Sequence, residues 1–128
     1  MSSLTAAPAK AVGKLVLNCD YRNAIAVIAK LLVAPQLKPD TAASLRLDLA
    51  ICYNALGQWT KTITLLSPIL GDLSWLPEKV QADINLHAAT AYCHLRQSAK
   101  CAELLGNASA IIEKLEGDAK MVRQAMKQ

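Results

Sequence analysis

Three windows of the chain fall into line when Cys19, Gly57 and Arg96 are set over one another, at intervals of 38 and 39 residues. Four residues before each anchor stand Leu15, Tyr53 and Tyr92, and seven before stand Val12, Ala50 and Ala89. Two residues after are Tyr21, Trp59 and Ser98; five after, the small Ala24, Thr62 and Cys101; nine after, Ile28, Leu66 and Leu105. A period of this kind marks a stack of supersecondary units, each able to bury its apolar face only against a neighbour.

Each unit reads as a pair of helices. Over residues 41–56 the apolar positions Leu45, Leu49, Cys52, Tyr53 and Leu56 recur at three and four, with Asp40 as the expected N-cap and Gly57 just past the end. From Pro77, at the favoured first helical position, Val80, Ile84, Ala88, Ala91, Tyr92 and Leu95 repeat the pattern. Shorter second helices are expected at 21–33, 59–67 and 98–105, with Pro68 stopping or kinking the middle one. Glycine and asparagine at 106–107 and Gly117-Asp118 then predict two further helices, 108–116 and 119–127. Strand runs of period two are absent, and with no Phe among 53% apolar residues the core must come from Ala, Leu, Ile and Val. Ala and Leu are strong helix formers, so the fold class is all-α.

The stretch LAICYNALGQWTKTI at residues 49–63 carries a sharper likeness. Its Leu, small residue and Tyr, followed by Gly, a polar residue, an aromatic and a small residue three further on, resemble the tetratricopeptide repeat. The resemblance spans nearly the whole chain. It departs where the family's early Trp is replaced by Pro8, Arg46 and Asn85, and where its closing Pro falls on Gln36 and Ser74. The period also exceeds the family's usual length of about 34; the excess falls in the links 34–40 and 70–76. The likeness implies antiparallel helix-turn-helix repeats, a TPR-like α-solenoid, in a single domain 1–128. Its units would be about 8–34, 40–70 and 77–106, with C-terminal capping helices at 107–128. Gly57 would be the hinge of the second unit, Tyr53 and Trp59 its wedges and Thr62 the small residue that lets it close.

Little in the chain points to catalysis. No glycine-rich phosphate loop, GxSxG elbow or HExxH motif occurs. His87 and His94 are seven residues apart, too far on one helix to chelate one ion, even with Asp83 a turn before His87. Cys93 and His94 are sequence neighbours whose side chains diverge by about 100° on a helix. The expectation is no enzyme, no metal and no cofactor. The charge of +4 is interleaved, with Arg22, Arg46 and Arg96 far apart, which argues against a nucleic-acid partner. Cys19, Cys52, Cys93 and Cys101 lack CxxC spacing and read as small apolar residues of a reducing, cytoplasmic setting. No apolar run is long enough for a membrane span. The acid-free start, with Lys10 and Lys14, has part of the character of a transit peptide but lacks arginine; a frayed start and a helix from Pro8 are expected instead.

Tetratricopeptide stacks bind peptides or helices in the concave face made by the first helix of each unit. By that register the groove residues are Val16 in the first unit, with Gly13; Leu47, Ile51 and Asn54 in the second; and Leu86, Thr90, Cys93 and His94 in the third. These are mainly apolar or small, so an amphipathic helix or apolar segment of another protein is the expected partner, rather than an acidic tail. The resemblance implies an adaptor or scaffold. Its alternatives are a small chaperone that sequesters a helix and a permanent subunit of a larger complex. The chain's own C-terminal helices could equally fill the groove, through Ile111, Ile112, Leu115, Met121, Val122 and Met126.

Overall fold

The computed structural model describes the backbone of residues 3–127 and the side chains of residues 10–127. Among the described residues there are six helices and no strand: α1 (Ser3–Leu17), α2 (Tyr21–Leu32), α3 (Pro39–Ala55), α4 (Trp59–Leu70), α5 (Glu78–His94) and α6 (Ser98–Met126). Each helix packs against the next, α3 also packs against α1 and α5, and the α5–α6 pairing is the most extensive.

The three aligned anchors share one backbone geometry. Cys19, Gly57 and Arg96 have φ of 59, 73 and 62°, the left-handed region. At each, the following N–H reaches back five residues: Asp20 to the Leu15 carbonyl (2.8 Å), Gln58 to Tyr53 (2.8 Å) and Gln97 to Tyr92 (2.9 Å). The anchor's own N–H reaches back three, to Val16, Asn54 and Cys93, each at 3.0 Å. This is a Schellman ending, which satisfies carbonyls that a helix terminus would leave orphaned. Only the middle turn uses glycine, the residue that holds positive φ without a Cβ penalty.

Small residues sit where the helices of a pair meet. Val12, Ala24 and Ile28 are fully buried, as are Ala50, Thr62 and Leu66 in the second pair. The core forms two clusters. One joins Val12, Ala24 and Ile28 to Leu45, Leu49 and Cys52 of α3. The other joins Ala50 and Leu66 to Ile84, Ala88, Ala89 and Tyr92 of α5 and to Cys101 and Leu104 of α6.

Three expectations about helix ends are corrected. The expected break at Gly106-Asn107 and Gly117-Asp118 does not occur: α6 runs unbroken for 29 residues through both. An exposed glycine inside a helix costs only about 1 kcal/mol, and the stripe formed by Cys101, Leu104 and Ala108, all buried, holds the helix on α5 through the first of them. Lys38 rather than Asp40 is the N-cap of α3, because Pro39 occupies the first turn; the Asp40 carboxylate instead accepts the Thr41 N–H at 2.9 Å. Pro68 lies inside α4, which ends two residues later at Leu70.

The link between α4 and α5 is packed rather than loose. Leu73 and Leu76 are buried. The Asp72 carboxylate accepts the backbone N–H of Ser74 (3.1 Å) and its hydroxyl (2.6 Å), and Trp75 Nε1 donates to the Asp72 carbonyl (3.0 Å).

Candidate functional site

The residues expected to line one groove divide into two sets. Leu47 is buried in the core with Ala43 and Ala88, and Asn54 is buried as well. The expected open face is closed at both positions, because α5 covers that side of α3. Asn54 Nδ2 donates to the His87 carbonyl at 3.0 Å, and its Oδ1 accepts the Thr62 hydroxyl at 2.6 Å. A buried amide on an inter-helix surface needs partners for both ends, and here one neighbour supplies each. Ile51 is half-buried against the same cluster, and Val16 half-buried against the first.

The other set stays open. On α5, Leu86 is 38% exposed, Thr90 is half-buried and Cys93 and His94 are exposed. Thr90 Oγ1 donates to the Leu86 carbonyl at 2.9 Å, so its hydroxyl is satisfied within its own helix. Thr90, Cys93 and His94 come together with Ala89, Cys101 and Leu105 around a shallow cleft of about 170 Å³. Cys101 and Leu105 belong to α6 and were not among the expected groove residues. A signal for them existed, since Leu105 is the third member of the aligned series Ile28, Leu66, Leu105.

Trp59, expected as a wedge within its own pair, is half-buried and makes its aromatic contact outside that pair. Its ring stacks on His94 of the third pair, centroids 3.9 Å apart and planes 3° from parallel. The stack fixes the last residue of α5 against the first residue of α4. Tyr53, its expected fellow wedge, is half-buried and carries Lys61 over its ring, 5.7 Å from the centroid.

The Cys101 thiol on the cleft floor and the Cys52 thiol in the first core cluster are not tuned for nucleophilic chemistry. Burial, then the neighbouring Cys93, pushes the Cys101 thiol up, and burial together with Asp48 pushes Cys52 to about 11. Reactive thiols need the opposite shift. Burial draws His87 below its ordinary value, an effect that Asp83 partly offsets. Among the described residues no three His, Cys, Asp or Glu side chains converge as metal ligands, and no helix is long and apolar enough to cross a membrane.

No protein-family model, curated protein or solved structure matches the chain.

Proposed function

We propose that the chain is an intracellular adaptor: a TPR-like stack of helical pairs that holds a helical or apolar segment of another protein along α5. The observation that carries this reading is the row of Leu86, Thr90, Cys93 and His94 left uncovered on α5, apolar or small for most of its length. Such a surface offers area and shape rather than chemistry, which is how a helix is recognised in a groove.

The test is affinity capture from the native host with Leu86→Asp and Thr90→Arg variants. Both positions lie outside the core, so the helical spectrum should persist while the partner is lost. Leu47→Asp is unsuitable, because a buried charge at that site would unfold the domain. If every partner survives both changes, α5 is not the binding face.

A second reading, a permanent subunit of a larger complex, is favoured by the exposure of Met121, Val122 and Met126 on α6. It predicts self-association or precipitation of the isolated chain, whereas an adaptor sediments as a monomer.

A further inference from the structure

The α5–α6 pair carries a surface that the same chain covers twice elsewhere. In the first pair, Ile28 is fully buried in a cluster with Leu45, Leu49 and Cys52 of α3. In the second, Leu66 is fully buried in a cluster with Ile84 and Ala88 of α5. The equivalent residue of the third pair, Leu105, is 41% exposed. The residues beside it follow suit: Asn54 is buried and bonded to α5, while its counterpart Cys93 is exposed and lines the open cleft with Leu105. The floor positions are buried in all three pairs, as Val12 and Ala24, Ala50 and Thr62, and Ala89 and Cys101, because each pair closes over them by itself. Among the described residues no further helix covers this face of the third pair.

We propose that this surface is a socket for one α-helix of another protein, seated on the α5–α6 pair as α3 seats on the first pair and α5 on the second. The proposal rests on the adaptor reading above and specifies its ligand.

The two internal occupants define what fits. They bury Leu45, Leu49 and Cys52, or Ile84, Ala88 and Ala91, at i, i+4 and i+7, and all but Ala91 belong to the clusters shared with the pair beneath. The ligand helix therefore carries a large aliphatic residue first and a small one two turns later, where the helices approach closely. Among the described residues no Asp, Glu, Lys or Arg lines the cleft, and the ring of His94 is stacked on Trp59. The face laid on it is accordingly apolar.

A second copy of the chain is a poor occupant. Its α1 would have to offer Lys10 and Lys14 where α3 offers Asp48 and Cys52 and α5 offers His87 and Ala91. Lys10 and Lys14 are both exposed, and burying an unpaired ammonium there would oppose head-to-tail stacking. A polar outer face at one end is what closes a repeat array; the α5–α6 end lacks it.

The test uses the full chain carrying Cys19→Asn, which leaves Cys93 as the exposed thiol among the four cysteines. The probe is a labelled synthetic peptide with the sequence of α5, followed by fluorescence anisotropy and by the rate of Cys93 alkylation. The expected result is saturable binding that slows alkylation of Cys93. Leu105→Asp should weaken it by about tenfold, the scale of losing one apolar anchor, with an unchanged helical spectrum and melting temperature. A peptide with Ile84→Asp should not bind. Absence of saturable binding, or binding indifferent to Leu105→Asp, overturns the socket. A native partner lost on Leu86→Asp but retained on Leu105→Asp would leave the adaptor reading standing and remove the socket alone.

Discussion

Asn54 and His87 are joined by a hydrogen bond between a side-chain amide and a main-chain carbonyl 33 residues along, 3.0 Å in length. It bridges α3 and α5, and the Thr62 hydroxyl completes it from α4. One buried polar node thus pins three helices in register.

Removing either side chain takes hydrogen bonds from its partner. Asn54→Ala removes the bond to the His87 carbonyl and leaves the Thr62 hydroxyl only its longer bond to the Ala50 carbonyl (3.4 Å), and Thr62→Val leaves the Asn54 oxygen bare. Each should cost about 1–3 kcal/mol, the penalty for an unsatisfied buried group. Asn54→Leu combined with Thr62→Val should cost less than the sum of the single changes. Urea titration with an unchanged slope is the measurement.

The left-handed turns make opposite predictions for similar positions. Gly57→Ala should destabilise by about 1 kcal/mol, since a Cβ is strained at φ of 73° even with open space around it. Arg96→Gly removes that strain at an equivalent site and should be neutral or stabilising by a few tenths of a kcal/mol, the relief being partly offset by unfolded-chain entropy. Thermal melts of the two variants decide the sign.

Gly106→Ala and Gly117→Ala should each stabilise by roughly 0.5–1 kcal/mol, because both glycines lie inside α6 with no atom within 4 Å of an added Cβ. A turn at either position would give the reverse. The helical signal at 222 nm and the melting temperature distinguish the two outcomes.

Asp48 and His87 sit at equivalent places on α3 and α5, and burial moves both toward their neutral forms, Asp48 upward and His87 downward. For His87 the folded chain binds fewer protons than the unfolded chain as pH drops below the ordinary value of 6.5, so stability is full above that pH and lost beneath it. For Asp48 the folded chain binds more protons between 3.8 and its raised value, so stability falls as pH rises through that window. His87→Gln should therefore flatten the loss below 6.5, and Asp48→Asn should stabilise the domain at neutral pH. Melting temperatures from about pH 4 to pH 8 test both.

The paired helices and their turns were legible in the sequence because they are local. A Schellman ending, a small residue five positions on and an apolar row at three and four all lie within one window. The fate of Asn54 was not, because whether a helix face is open or covered depends on how the next pair is laid against it. The Trp59–His94 stack was hidden for the same reason: the two rings belong to different pairs. The unbroken α6 was missed because glycine is a weak signal when packing outweighs its cost. Of the expected site, Leu86, Cys93 and His94 are exposed, Val16, Ile51 and Thr90 are half-buried, and Leu47 and Asn54 are buried.

The length of α6 has a consequence for how many ligands the molecule could carry at once. The Lys114–Glu78 contact, 2.8 Å, marks where α6 passes the start of α5. Beyond it, Met121, Val122 and Met126 are exposed on the last turns of the same helix. Val122 lies roughly 25 Å along the helix axis from Leu105, at a rise of about 1.5 Å per residue. Two ligands gripping those points would not collide. A single chain bearing two short helices joined by a linker of that span would gain bivalent avidity, without a new contact anywhere on the protein.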